Sequence, residues 1–276
     1  MKIAAINDLS GFGKCSLVAD MTVLSAMGIQ CCPIPTAVLS AQTGYPSFYS
    51  KDLTGIIPEY TREWKKQGEC FDGIITGFMM SKEQAINSLE FIRQFKTEKT
   101  TVLVDPVMGD DGRTYKNFSV DLLHTIREMT KDADIITPNL TELILLAGDS
   151  PESVLRLRGD ELTRDIFRLS MLVGGDQGKT IAVTGIPMKE AGEVGNFILE
   201  KGESRIISSG SNGLHYSGTG DLFAAVFLGA YISGKNAFDA ADTASRFIYA
   251  SVKDTPADTS PNSGVEYEKN LKLLMQ

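Results

Sequence analysis

Histidine is almost missing from this sequence: His124 and His215 are the only two. So thin a supply leaves little room for a histidine-rich metal centre or a serine-hydrolase triad. Cysteine is also scarce. Cys15, Cys31, Cys32 and Cys70 form no Cys-x-x-Cys pair, and free, reduced thiols are expected. Positive charge is in deficit, because 27 Lys and Arg against 35 Asp and Glu leave a formal charge of −8. That balance speaks against nucleic acid or an anionic membrane as partner, and an anionic substrate would need local help against it. No apolar run reaches the length of a membrane span, and Met1-Lys2-Ile3 leads into a strand pattern without a signal peptide. A cytoplasmic protein is expected.

What is present is an ordinary globular composition, 42% hydrophobic and 22% charged over 276 residues, enough to bury a core without staples. Apolar runs predict strands over Lys2–Ile6, Ile29–Pro35, Phe71–Gly77, Thr101–Asp105, Ile135–Thr137 and Thr180–Thr184. Between them, helical spacing recurs over Ser16–Met27, Leu53–Gln67, Lys82–Phe95, Ser119–Met129, Leu140–Ala147 and Glu161–Gly174. The segment Thr36–Tyr49 reads as a polar loop. Val194–Leu199 and Arg205–Ser208 read as antiparallel strands, and Asn236–Lys253 and Val265–Gln276 as further helices. Strand and helix alternate as in a doubly wound or related three-layer sheet. No repeat or linker interrupts residues 1–276, so one domain is expected.

The most informative stretch is Ser217-Gly218-Thr219-Gly220-Asp221-Leu222-Phe223. From Leu222 to Ile232 the residues are apolar almost all round, the mark of a buried helix, and Gly234 supplies a stop. Two glycines at its start let backbone approach a ligand closely, and free N–H groups with the positive dipole end attract anions. Asp221 then has two readings. It complements the dipole as a cap, or it is the base that deprotonates an attacking hydroxyl at a phosphoryl-transfer site.

The first loop, Asn7-Asp8-Leu9-Ser10-Gly11-Phe12-Gly13-Lys14-Cys15-Ser16, matches neither common phosphate fingerprint. Ser16 stands where a dinucleotide loop needs its third glycine, and Lys14 precedes Cys15 rather than the Ser or Thr of a P-loop. It still lies at the sheet's carboxyl edge, where open α/β sheets bind ligands, so Asp8 and Ser10 are candidate small-molecule contacts. Two other strand ends carry acids to that edge: Asp105-Pro106-Val107-Met108-Gly109-Asp110-Asp111-Gly112 and Thr137-Pro138-Asn139-Leu140-Thr141-Glu142. Capping and turn chemistry explain them locally. Clustered, they are also the hard oxygen ligands that a hydrated Mg²⁺ takes.

Together, Asp105-Pro106-Val107-Met108-Gly109, Thr137-Pro138-Asn139 and Gly218-Thr219-Gly220-Asp221 resemble the ribokinase-like small-molecule kinases. Within that superfamily the chain looks like the pyridoxal kinases and the closely similar hydroxymethylpyrimidine kinases, over nearly its whole length. The segment from Thr36 through Ser40, Thr43 and Tyr45 resembles the part that surrounds the pyridoxal ring. Ile74-Ile75-Thr76-Gly77-Phe78 resembles a second such segment, where the family more often has tyrosine in place of Phe78. The resemblance implies a three-layer α/β/α fold with a mostly parallel central sheet and no separate lid domain. It implies ATP and Mg²⁺, in some relatives a monovalent cation (K⁺ or Na⁺), and a homodimer. Asp221 is implied as base, with Gly218, Thr219 and Gly220 as the anion hole. Asp105, Asn139 and Glu142 would serve phosphate and metal, with Asp110 on the metal and Thr137 on the monovalent cation. Thr184 would adjoin the nucleotide, and Gly109 to Tyr115 would form a flap over the phosphates. Thr43, Tyr45 and Phe78 would meet the substrate ring, with Asp8 or Ser10. The first loop departs from the pyridoxal-kinase pattern: a serine is usual where Asp8 stands, and Asp8-Leu9-Ser10-Gly11 is nearer the pyrimidine kinases. The alternative enzyme is a hydroxymethylpyrimidine or sugar kinase of the same fold; a non-catalytic vitamin sensor is the reading from another class, opposed by retention of Asp221 and both glycines. A nucleotide-dependent oxidoreductase is opposed by the broken glycine fingerprint.

Overall fold

The computed structural model describes residues 1–115, 118–190 and 192–275. In chain order the elements are β1 (Lys2–Ser10), α1 (Ser16–Ala26), β2 (Gln30–Leu39), β3 (Ser50–Asp52), α2 (Ile56–Gln67), β4 (Gly73–Thr76) and α3 (Lys82–Phe95). There follow β5 (Thr101–Val104), β6 (Gly109–Asp110), β7 (Arg113–Thr114), α4 (Val120–Asp132), β8 (Ile135–Ile136), α5 (Leu140–Ala147), α6 (Pro151–Val154) and α7 (Gly159–Leu172). The chain closes with β9 (Thr180–Pro187), β10 (Glu193–Glu200), β11 (Glu203–Gly210), α8 (Thr219–Ile232) and α9 (Ala237–Asp254).

A nine-stranded sheet has the order β11-β10-β9-β8-β5-β4-β1-β2-β3. From β2 to β9 the neighbours pair in parallel, whereas β3, β10 and β11 join antiparallel. The strands alternate strictly between two cores, because successive side chains leave opposite faces. Ala4, Ile6, Val102, Val104, Ile136, Ile181 and Val183 pack with α2, α3, α4, α5 and α7. Ile3, Ala5, Leu103, Ile135 and Ala182 pack on the other face with α1, α8 and α9. The result is the expected three-layer α/β/α sandwich with a mostly parallel sheet. Parallel pairing also brings the C-terminal ends of β1, β4, β5, β8 and β9 to one edge.

Two expected segments differ. Thr36 to Leu39 continue β2, and the short exposed strand β3 pairs beside them, so the loop of Thr36–Tyr49 starts only at Ser40. The apolar run Ala37-Val38-Leu39 is too short, and too close to the polar residues after it, to register as a strand. The expected terminal helix is a 3₁₀ turn over Glu268–Leu273, and Gln276 lies outside the described residues. No described helix is long and apolar enough to cross a membrane.

Candidate active site

Helix α8 is buried from Leu222 to Ala230, and its N-terminus opens at the ligand-binding edge. Gly218 caps it in the left-handed conformation, φ +80°, and no side chain caps its free N–H groups. A Cβ on Gly218 would stand 2.4 Å from the Lys14 carbonyl oxygen, so glycine is required there by both conformation and space. A Cβ on Gly220 would meet nothing within 4 Å, so that glycine leaves the helix end open. Thr219 is held by its hydroxyl, which donates to the Tyr216 carbonyl at 3.0 Å.

Asp221 stands in the first turn, and its Oδ1 accepts a hydrogen bond from Asn7 Nδ2 at 3.0 Å. Burial pushes its carboxyl up to about 6, against the pull of the Ser16 amide and Asn7; Asp8 pushes the same way as burial. A carboxylate with a pKa close to neutrality, beside donors that favour its charged form, is suited to accept a proton. Asn7 itself is the residue that sequence reasoning missed. Its Oδ1 accepts from the backbone N–H of Asp8 (3.0 Å) and Phe78 (2.8 Å), which fixes the amide's orientation. A Cβ on Gly77 would lie 2.4 Å from Asn7 Nδ2, so Gly77 makes the room. The available signal was a polar side chain at an inward position of an apolar strand.

At the N-terminus of α5 the acids are engaged differently. Asn139 Oδ1 accepts from Glu142 N (3.0 Å) and Glu142 Oε2 accepts from Asn139 N (2.9 Å), a complete capping box. Glu142 Oε1 also accepts from Met108 N (2.9 Å), and Asn139 Nδ2 donates to Gly109 O (2.8 Å). The capping reading of this motif is therefore correct, and it positions the Asp105-to-Asp110 loop. Beyond it, β6 and β7 form a hairpin whose turn residues Asp111 (φ +49°) and Gly112 (φ +76°) match a two-residue type I′ turn. Gly112 N donates to Thr141 Oγ1 at 2.8 Å, fastening the hairpin to α5. Tyr115 follows, 44% exposed, with its phenol held above the usual range by burial and by Glu142, Asp110, Asp105 and Asp221. Thr184 N bonds Pro138 O at 2.9 Å, placing Thr184 beside the same helix end.

Asp105 is buried at the end of β5, and its carboxyl is pushed well above the usual range by burial, then by Glu142 and Asp221. Burial pushes Glu142 up to about 8 despite its backbone donors. Thr137 Oγ1 is buried beside Asp105, whose carboxyl it helps to hold down, without reaching a well-formed hydrogen bond. Among the described residues no three His, Cys, Asp or Glu side chains converge tightly enough to hold a metal alone. Buried carboxyls that push one another upward, with no cationic side chain between them among the described residues and the Thr137 hydroxyl alongside, fit a hydrated Mg²⁺ that keeps waters and takes substrate phosphates as further ligands. Asp110, on the exposed hairpin, is close enough to Glu142 to push its carboxyl upward, and its own is raised by burial and by Asp111, against His215.

On the other side of Asn7, a bulge sets Thr36 and Ala37 opposite Asp8. Asp8 and Ser10 are both buried, and Ser10 Oγ donates to Asp8 Oδ2 at 2.7 Å. Phe78 is half-buried next to them, its carbonyl accepting from Thr36 Oγ1 at 3.1 Å. Thr43 is exposed in a loop tied down by Gln42 and Gly44, which bond Asn262, and by Tyr45 OH, 3.3 Å from Ser263 Oγ. Ser217 N in turn bonds Pro261 O at 2.9 Å, so this loop joins the α8 terminus through residues 261–264. The first loop carries no phosphate cradle: Lys14 pairs with Glu266 and Glu268, both at 2.9 Å. Cys15 is inert as a nucleophile, its thiol pushed up to about 12 by burial and then by Asp221 and Asp8.

The phosphomethylpyrimidine kinase family model matches residues 13–266. Among curated proteins, a pyridoxal kinase of Rubrobacter xylanophilus is 26% identical, with 92% of this chain and 88% of that protein covered. The Arabidopsis thaliana pyridoxal kinase is 28% identical over 75% of this chain and 66% of its own length. A candidate phosphomethylpyrimidine kinase of Bacteroides thetaiotaomicron, crystallised with pyridoxal, is 36% identical with a TM-score of 0.91, covering 99% of this chain and 95% of that one. The pyridoxal kinase of Lactobacillus plantarum is 26% identical with a TM-score of 0.88, covering 99% and 96%. The chain belongs to the phosphomethylpyrimidine kinase family, within the ribokinase-like superfamily.

Proposed function

We propose that the protein is an ATP-dependent pyridoxal kinase, phosphorylating the 5′-hydroxymethyl group of pyridoxal, pyridoxine or pyridoxamine. The observation that carries this reading is the uncapped N-terminus of α8, with Asp221 held by Asn7, whose Oδ1 also gathers the Asp8 and Phe78 amides. The vitamer assignment draws on the relative crystallised with pyridoxal and on the pyridoxal-kinase relatives.

In the reaction, Asp221 accepts the proton of the substrate hydroxyl, whose oxygen bonds the γ-phosphorus as the bond to the β,γ-bridging oxygen breaks. ADP leaves with that oxygen. The amides of Gly218, Thr219 and Gly220 and the dipole of α8 stabilise charge on the transferring group, where positioning and electrostatics do most of the catalysis. Asp105 and Glu142 would hold Mg²⁺ through water, with Asp110 nearby, and the ion would supply charge neutralisation on the phosphates. Asn139 orients the loop that carries these groups. The buried Thr137 hydroxyl beside Asp105 suits a monovalent cation. Thr184 and Tyr115 flank the nucleotide, and Asp8, Ser10, Thr43, Tyr45 and Phe78 line the ring site. A cytoplasmic homodimer completes the reading.

The second reading, a hydroxymethylpyrimidine kinase, is favoured by the family model and by Asp8-Leu9-Ser10-Gly11. A panel of vitamers and hydroxymethylpyrimidine, assayed with ATP and Mg²⁺, separates the two. Pyridoxal-type compounds are expected to have the higher kcat/KM; equal or better use of the pyrimidine overturns the vitamer assignment and leaves the kinase.

A further inference from the structure

Asp20 is a carboxylic acid inside an apolar helix-on-sheet layer. It lies on α1, is 1% exposed, and its Oδ1 has no hydrogen-bond partner. Its Oδ2 lies 3.3 Å from Asn7 Nδ2, the same nitrogen that donates to Asp221 Oδ1 at 3.0 Å. An amide nitrogen carries two hydrogens, so Asn7 has one for each acid. With Oδ1 occupied by the Asp8 and Phe78 amides, every hydrogen-bonding position of Asn7 is engaged.

A helix-on-sheet contact needs no buried acid, and removing one from water carries a large desolvation cost. Leu17, Ala19, Val23 and Leu24 of the same helix fill the layer with hydrocarbon. Asp20 departs from that pattern at the one point where α1 passes Asn7. The geometry points to Asp20 as a positioning residue for the base: its carboxyl anchors one N–H of Asn7 so that the other stays aimed at Asp221. This rests on the reading of Asp221 as base.

Burial pushes Asp20 well above the usual carboxylate range, as do Asp221 and Asp8, against the pull of Asn7. The titratable groups around it are Asp8 on β1, Cys31 on β2, Asp105 after β5 and Asp221 on α8; none is a cation. That environment disfavours charge on Asp20, while its Oδ2 stays in place as an acceptor for Asn7.

The test uses Asp20→Leu and Asp20→Asn in the full-length enzyme, with kcat, KM for ATP, and the pH dependence of kcat/KM. Asparagine keeps the size and an oxygen that can still accept from Asn7, so its kcat and pH profile stay near those of the parent. Leucine frees the amide, and kcat falls about 10- to 100-fold with KM for ATP unchanged. Asp221 loses part of its donor, so the acidic limb moves to higher pH by about 0.4–1 unit. If the leucine variant does not fold, Asp20→Ser, too short to reach Asn7, takes its place. A limb moved to lower pH in both variants means Asp20 acts by charge, and the proposal fails. Unchanged kcat and limb with only a lower melting temperature mean that it is structural, and the proposal fails again. Asp221→Asn separates the underlying reading: if turnover survives there, both the base and its positioning residue are refuted.

Discussion

Two helices begin at the same edge of the sheet, each with an acid in its first turn, and they use that acid in opposite ways. At α5, Asn139 and Glu142 satisfy each other's backbone N–H groups, and Glu142 reaches back to Met108 as well. At α8 the cap is glycine, no side chain caps the helix, and Asp221 is held from another strand by Asn7. The closed end organises a loop. The open end leaves donors free for an anion, and its acid is held in place without being consumed by the helix. Local sequence makes the two ends look alike; the difference lies in what the rest of the chain brings to each.

That contrast can be broken from either side. The largest effect after that of Asp221 itself is expected for Gly218→Ala, which needs positive φ and forces backbone near Lys14 to move. Turnover should fall by about 10²–10³-fold as the anion-binding amides shift, measured as kcat beside a melting curve. An active, merely less stable variant would count against the open end as the reaction site. Glu142→Gln attacks the closed end. One amide NH₂ must then face a backbone N–H it cannot accept, so stability should drop by roughly 1–3 kcal/mol, read by denaturant unfolding. An unchanged midpoint would contradict the capping box.

A smaller effect is expected on pH dependence. Asp8, Asp20, Asp105 and Glu142 are all pushed upward by burial. The folded protein therefore keeps protons that the unfolded chain, titrating near 3.8 for Asp and 4.5 for Glu, has already lost. Where the unfolded state binds fewer protons, stability falls as pH rises. The ligand-free melting temperature should decline from above about 4 up to about 8, the value for Glu142. Mg²⁺ with nucleotide should raise it more at the alkaline end. A flat curve would mean that the acids are compensated in some other way. The smallest effect belongs to Cys31 and Cys32, half-buried on β2 away from the reacting groups: replacing both with serine should leave kcat unchanged while lowering stability at most.

Much of this was legible without coordinates. The β-α alternation showed because buried parallel strands are short apolar runs and their helices are amphipathic. Asp105, Asn139, Glu142 and Asp221 showed because polar residues at strand ends and helix starts break those runs. Asn7 and Asp20 did not. Asn7 reads as the first residue of a polar loop, yet its main partner lies 214 positions away. Asp20 sits within an apolar helical repeat, where a single acid passes for surface until the opposite strand is in place. The short edge strand β3, exposed along its whole length, carries no hydrophobic signal at all.

The most direct test of the open helix end is Asp221→Asn, which keeps size and polarity but cannot take the hydroxyl proton. As general base, Asp221 should be worth about 10²–10⁴-fold in kcat, with nucleotide Kd nearly unchanged because backbone N–H groups hold the phosphates. A near-normal kcat with stability lowered by roughly 0.3–1 kcal/mol would make Asp221 a dipole cap and contradict the account.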